Sequence, residues 1–480
     1  MRRVLAISLA IGCGSISGCS GPSLRVTSEP PGAMIVVSQG DRADNSKSRL
    51  SPHKFGVRFK NDPNLVYTVQ AIPPEAALEK YQTTTVKIDQ SLWNRLPGDN
   101  LKDYTLRLEE ATYGNLLLLE VVLDPTTGWR AVLSERRAYT DTREQTGEAP
   151  TQIVRFGELA NVHGMSLSGN RIVYSVASGF DSRELRELAD LQQYDRWVFP
   201  LAQASVHGVL VGPQGGGGIQ QITTGDFLDL FPSFTPDGEY LLFTSNRRNR
   251  VGADLLRIRA SDRGAIQNLL VETGGNRASK PTQGEDATIA YSLYPAGAVR
   301  PDESQIWTIG GPNQFPTQVS YGQLPAISPD GKRIAFIRDG NLWVCRASGG
   351  GETQLTSDAA AIVKDYRDRL SGELERQFFD TQQLNRTFFA NGYPTWSPDG
   401  NHIVYSSMQG RDPTGRPNED IWLIRADGTD AQQLTTNFSA DRFPVLSPDG
   451  RYIYFFSNRG KQWGLWRIAA PEILRQSGSN

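Results

Sequence analysis

Four near-copies of one octapeptide punctuate the latter part of the chain: Phe231-Pro-Ser-Phe-Thr-Pro-Asp-Gly238, Leu324-Pro-Ala-Ile-Ser-Pro-Asp-Gly331, Tyr393-Pro-Thr-Trp-Ser-Pro-Asp-Gly400 and Phe443-Pro-Val-Leu-Ser-Pro-Asp-Gly450. Each is followed by an alternating apolar run, such as Tyr240-Leu-Leu-Phe-Thr-Ser or His402-Ile-Val-Tyr-Ser-Ser. Pro-Asp-Gly between two short apolar runs is a hairpin turn with a mechanism: proline presets φ, aspartate bonds its own backbone, and glycine takes the left-handed position. A unit of this kind returning at roughly 40–50-residue spacing predicts a β-propeller, one sheet per repeat.

Each complete unit reads as four strands. The first precedes Pro-Asp-Gly and the second follows it, ending in Ser-Asn-Arg at 245–247 and 457–459. The third carries a tryptophan in Gln305-Ile-Trp-Thr-Ile, Asn341-Leu-Trp-Val, Asp420-Ile-Trp-Leu-Ile and Gly464-Leu-Trp-Arg-Ile. A large flat side chain at that place fills the wedge between neighbouring blades. The fourth ends in Gln-Leu-Thr or a variant, at 354–356, 433–435 and 221–223. Two further units are degenerate, one beginning at Met165 and one at Lys280-Pro-Thr-Gln-Gly-Glu-Asp-Ala, whose turn reads as two residues shorter. The total is six. The last unit stops after its third strand, at Ile468, and Thr151-Gln-Ile-Val-Arg-Phe matches the missing fourth. Closure by that N-terminal strand is expected, because it leaves no free sheet edge.

With 47 glycines and 28 prolines in 480 residues, the composition agrees with a turn-rich, all-β chain. The formal net charge is −2 and no basic run occurs, so nothing predicts a nucleic-acid partner. The N-terminus has a basic start, Met1-Arg-Arg, and an apolar stretch from Val4 to Ile11 that is too short to span a bilayer. Next comes Ile16-Ser-Gly-Cys19, which resembles the bacterial lipobox. That resemblance implies acylation of Cys19 and stable membrane anchoring through several acyl chains. Ser20 and Gly21 after the cysteine resemble signals that permit outer-membrane export. Cys345 is then alone in the mature body, so no disulfide forms within one chain, and its strand pattern predicts a buried packing residue.

From Leu24 the chain runs through Glu29-Pro-Pro-Gly-Ala33 to Met34-Ile-Val-Val, with later strands at Tyr67-Thr-Val-Gln-Ala and Lys80-Tyr-Gln-Thr-Thr-Thr-Val. This resembles the PEGA domain, a small β-sandwich, although Lys80 replaces the glycine of its Gly-Tyr pair. The repeats resemble the PD40, or WD40-like, units of the TolB propeller family. The resemblance implies an all-β chain: a six-bladed propeller preceded by a PEGA-like β-sandwich. The expected organisation is a signal peptide over 1–18, an anchor segment over 19–23, the PEGA-like domain over 24–110, a hairpin and linker over 111–150, the propeller over 151–471 and a polar tail over 472–480. The anchor and the missing TolB-type N-terminal domain prevent a simple transfer of TolB's role.

Three insertions fall on the face opposite the Pro-Asp-Gly turns: 180–196, 409–419, and 359–390 with Val363, Tyr366, Leu370, Leu374, Phe378 and Phe379 at helical spacing. Long loops on a rigid scaffold commonly bind, so this face and the axial opening are the expected partner surface, with Arg247, Arg411, Arg416, Arg459, Tyr366, Phe378 and Phe379 contributing. The competing expectation is that the 359–390 helix packs down as a brace. No Gly-x-Ser-x-Gly elbow occurs, and the four histidines (53, 163, 207 and 402) offer no ligand pair at close spacing. No catalytic residue, metal or cofactor is therefore expected. The functional expectation is a lipid-anchored cell-envelope protein, in the outer membrane and facing the periplasm, that docks another envelope protein. The alternative is a glycan-binding or polysaccharide-acting propeller, which would need His, Asp and Glu converging in the axial funnel.

Overall fold

The computed structural model describes residues 22–39, 42–59, 62, 64–73, 81, 84–108, 113–124, 128–139, 150–157, 159–160, 162–178, 198–201, 203–212, 215–261, 268–298, 303–310, 313–368, 390–411, 417–437 and 439–474. The chain divides into two compact units, one comprising Met1–Ala77 with Tyr81–Glu110 and the other Ala111–Asn480 together with Leu78–Lys80.

The smaller unit is a β-sandwich. One sheet joins His53–Gly56, Ser23–Glu29 and Leu101–Arg107, the last two in parallel. The other joins Arg42–Leu50, Met34–Gln39, Tyr67–Ile72 and Thr84–Ile88. Alternation along Ser23–Glu29 turns Leu24 and Val26 inward, where they meet Ile35, Val37, Val69, Ile88 and Trp93 in one core. The Pro30-Pro31-Gly32 turn links the sheets, with Gly32 at φ +92°. The short helix Gln90–Arg95 starts on an Asp89 side-chain cap and ends against Lys102, whose Nζ donates to the Trp93 and Leu96 carbonyls at 3.0 and 2.8 Å.

The larger unit is a six-bladed propeller. Its antiparallel blades are Val162–Ser168, Arg171–Ser178, Gln203–Gly212 and Gln220–Gln221; Asp229–Phe234, Tyr240–Ser245, Asp254–Arg259 and Asn268–Val271; Arg277–Gln283, Ile289–Tyr294, Gln305–Gly310 and Asn313–Tyr321; Gln323–Ile327, Arg333–Arg338, Asn341–Arg346 and Thr353–Gln354; Asn391–Trp396, His402–Arg411, Pro417–Arg425 and Gln432–Gln433; and Asp441–Leu446, Tyr452–Ser457, Trp463–Ala469 and Thr151–Gly157. The first strands touch one another around a closed ring, the sixth meeting the first. Thr151–Gly157 supplies the outer strand of the last blade, antiparallel to Trp463–Ala469, so the anticipated closure is present. The hairpin Tyr113–Asp124/Gly128–Tyr139 lies within this unit and pairs with Val198–Pro200 and Leu159–Ala160. Blades meet through mixed cores: Trp307 packs with Leu242 and Tyr291, and Trp466 with Val404 and Leu423.

The recurring motifs are consumed by local hydrogen bonding. In each Pro-Asp-Gly turn the preceding hydroxyl donates to the aspartate: Thr235 to Asp237 and Ser397 to Asp399 at 2.5 Å, Ser328 to Asp330 at 2.6 Å, and Ser447 to Asp449 at 2.5 Å. The same carboxylates accept the amide two residues on, as from Glu239 at 2.9 Å and Lys332 at 3.1 Å. All four carboxyls lie below the usual range. The Thr235 hydroxyl dominates for Asp237; in the other three partial burial pushes upward, and the hydroxyl and amide donors together with neighbouring basic side chains outweigh it. The threonine of Gln-Leu-Thr accepts a third-strand amide at 2.9 Å in three blades, Val206 to Thr223, Leu342 to Thr356 and Ile421 to Thr435. The third-blade turn is one residue shorter than its neighbours, not two: the Gly284 amide bonds the Thr288 carbonyl where the Thr235 amide bonds that of Tyr240. Cys345 is buried, and burial pushes its thiol up to about 12, which makes it inert packing.

Candidate binding site

Of the residues expected to meet a partner, Arg459, Arg247 and Tyr366 are described, and each is engaged within the fold. Arg459 is fully buried: its Nη2 lies 2.5 Å from Asp441 Oδ2, its Nε donates to Ser457 Oγ at 2.9 Å, and its guanidinium sits over Phe455 and Trp466. It is a core strut and presents nothing outward. Arg247 makes the equivalent pair with Asp229 at 2.5 Å, donates to the Thr224 carbonyl at 2.7 Å and lies over Phe227, with its side chain 16 % exposed. In both blades the Ser-Asn-Arg motif is thus an anchor for an aspartate that opens the first strand. Its asparagine completes the anchor, Asn246 accepting from the Leu228 amide and Asn458 from that of Ala440, each at 2.8 Å.

Tyr366 lies on the helix Ala359–Asp368, packed against Ala359, Ile362, Ala390 and Met408. The Ala359 amide donates to Asn341 Oδ1 at 3.2 Å, and Asp358 binds the side chains of Asn391 and Gln409. Over its described turns this helix is a brace between the fourth and fifth blades. Cys19, Arg416, Phe378 and Phe379 lie outside the described residues, and for Arg411 only the backbone pairing with Pro417 is described.

The propeller axis carries a ring of its own. Every first strand carries a bulge at the same place, so that pairing skips between Leu230 and Ser233, Ser279 and Thr282, Gln323 and Ala326, Gly392 and Thr395, and Arg442 and Val445. The first blade has its own version between His163 and Met165. At each bulge one residue holds positive φ: Gly164 (58°), Phe231 (52°), Lys280 (45°), Leu324 (53°), Tyr393 (51°) and Phe443 (55°). The last five each precede a proline, which lacks the amide that a bulge leaves unpaired. Such backbone costs about 1–3 kcal/mol per non-glycine residue and persists only where the surroundings enforce it. Gly164 has a steric reason as well, since a Cβ there would stand 3.1 Å from the Phe231 ring.

From this ring a cavity of about 280 Å³ runs toward the Pro-Asp-Gly turns, lined among others by Met165, Phe231, Lys280, Tyr393, Trp396 and Phe443. It therefore lies toward the face opposite the long insertions on which a partner surface was expected. Tyr393 and Phe443 pack with ring centroids 4.0 Å apart, and Trp396 Nε1 donates to the Ala326 carbonyl at 2.8 Å, which fixes the wall. Ser166 and Thr282 in the lining accept amides of the next blade, from Phe234 at 3.0 Å and Ile327 at 3.1 Å.

Lys280 is the exception in this ring. Its Nζ reaches from the third blade to the Pro325 carbonyl of the fourth (3.3 Å) and the Pro394 carbonyl of the fifth (3.4 Å), both long contacts. Enclosure of the amine lowers its pKa to about 7. The lining contains one carboxylate, Glu285, which is exposed at the turn that forms the rim. The sequence reading passed over Lys280, yet a signal was there: aligning the X-Pro dipeptides puts a lysine where the other units carry Phe, Leu, Tyr and Phe.

Residues 291–410 match the family model for the dipeptidyl peptidase IV (DPP IV) N-terminal region. Among solved structures, the chain is similar to a putative TolB from Agrobacterium tumefaciens (24 % identity over 51 % of this chain and 74 % of that one, TM-score 0.36). It is also similar to TolB from Acinetobacter baumannii (13 % identity, 79 % of each chain, TM-score 0.37). A gluconolactonase from Xanthomonas campestris gives 12 % identity over 67 % of this chain and 94 % of that one, at TM-score 0.40. The propeller assignment rests on the strand pairing and the closed ring of first strands, not on these likenesses.

Proposed function

We propose that this chain is a lipid-anchored cell-envelope protein whose six-bladed, TolB-like propeller docks another envelope protein at its axial cavity. The observation that carries the reading is the cavity wall. Rigid aromatic side chains from three blades and one lysine from a fourth converge on a preformed concavity, which is the chemistry of recognition. The lipobox-like Ile16-Ser-Gly-Cys19 supports the anchor. Among the described residues, no helix is long and apolar enough to cross a membrane.

The test is site-specific photo-crosslinking in cells, with the probe at Gln283 on the cavity or, as a control, at Phe315, which is 78 % exposed on the outer strand of the third blade. The reading expects one identified envelope protein to be captured from position 283 and not from 315. Capture of the same set from both positions overturns it. Cys19→Ser should move the protein from the membrane to the soluble fraction, and retention at the membrane would refute the anchor.

A further inference from the structure

Lys280 is half-buried, and an ammonium partly withdrawn from water is costly unless something of opposite charge answers it. Lys280 has only two long carbonyl contacts, and among the described residues no carboxylate pairs with it. Carbonyls leave the net charge in place and leave donor capacity on the ammonium unused. The fold does not call for a lysine here, because equivalent ring positions are filled by Phe231, Leu324, Tyr393 and Phe443, which pack the axis without any charge. Among the described residues, the titratable side chains lining the cavity besides Lys280 are Tyr393 and Glu285, and the latter is exposed with its amide bound to the Pro329 carbonyl at 2.8 Å.

A lone cation in a cavity walled by four aromatic rings, with polar side chains such as Thr282 and Gln283 between them, selects for a ligand with an anionic head and an aromatic or apolar stem. We propose that the axial cavity is a carboxylate-binding pocket, in which Lys280 Nζ holds the carboxylate and the wall of Phe231, Tyr393, Trp396 and Phe443 holds an apolar or aromatic stem. The inference rests on reading the cavity as a recognition site, and it names the group recognised. The volume of about 280 Å³ lies at the small end of ligand pockets, roughly 300–1,000 Å³, and suits a single ring with its acid rather than a longer chain. Such an acid is either a free small molecule or the C-terminal residue of a partner, and both offer the same head group.

The experiment is calorimetric titration of the full chain at pH 6, where the amine is charged, with phenylacetate, N-acetylphenylalanine and the uncharged phenylacetamide. The acids should bind roughly 10- to 100-fold more tightly than the amide, the usual value of a charge-assisted hydrogen bond. Lys280→Met, which keeps the stem, should erase that preference. Tighter binding of N-acetylphenylalanine assigns the pocket to a chain terminus, and tighter binding of phenylacetate assigns it to a free acid. Equal binding of acid and amide, or no binding of either acid, overturns the proposal. The acid–amide comparison on the unmodified protein needs no variant to fold. A crosslink from position 283 without acid binding would remove the carboxylate assignment and leave the docking reading intact, whereas acid binding without a crosslink would do the reverse.

Discussion

The burial of Arg459 makes a quantitative claim about stability that a surface arginine would not. Both members of the Arg459–Asp441 pair are 0 % exposed, and the guanidinium also covers Phe455 and Trp466. Arg459→Met preserves most of the stem packing and removes the charge, which strands the Asp441 carboxylate away from water. Breaking a buried pair from one side costs about 3–5 kcal/mol. Unfolding entropy is about 2.1 cal/mol/K per residue, so over a propeller of roughly 320 residues that loss lowers Tm by about 4–8 °C. Arg247→Met should cost less, about 1–3 kcal/mol, because its site is 16 % exposed and Asp229 keeps the Ser245 hydroxyl at 2.6 Å. Adding Asp441→Asn to Arg459→Met should recover much of the loss, since the stranded charge is then gone. The assay is calorimetry with a double-mutant cycle. If Arg459→Met stays within about 0.5 kcal/mol of the parent, as an exposed side chain would, or if Asp441→Asn rescues nothing, the strut assignment is wrong.

Lys280→Met should be more stable than the parent at pH 6. Between about pH 7 and the unfolded lysine value near 10.4 only the unfolded parent keeps this proton, so parental stability rises with pH and the gap narrows; chemical denaturation from pH 6 to 10 reads this. Gly464→Ala should destabilise the closure by about 1–3 kcal/mol, because a Cβ there would stand 2.6 Å from the Val154 carbonyl oxygen; hydrogen exchange in Thr151–Gly157 should rise with it, and unchanged exchange refutes the clash. The turn carboxyls of Asp237, Asp330, Asp399 and Asp449 are depressed when folded, so their contribution is present above about pH 4 and is lost as pH falls through the folded values; Asp→Asn at all four should flatten the acid limb of a urea-midpoint profile.

What could be read from the residues alone follows the range of the interactions involved. The turns were legible because Ser-Pro-Asp-Gly satisfies itself within four or five residues, and the closing strand because Thr151-Gln-Ile-Val-Arg-Phe repeats a pattern seen elsewhere in the chain. The roles of Arg247 and Arg459 were not legible: the acids that hold them, Asp229 and Asp441, stand 18 residues upstream across a hairpin. Recurrence of Ser-Asn-Arg was read as a repeated surface feature when it records a repeated internal bond. The axial ring was hidden for a different reason. A bulge depends on the register between two strands, and no single strand announces it. Once the register is known, recurrence separates architecture from function. Five positions of the ring carry a glycine or a large apolar side chain that the axis can pack, so they need no further explanation. The sixth carries Lys280 at the same strained φ, and among the described residues no carboxylate answers it. A charge that the fold neither requires nor neutralises is best accounted for by what enters the cavity.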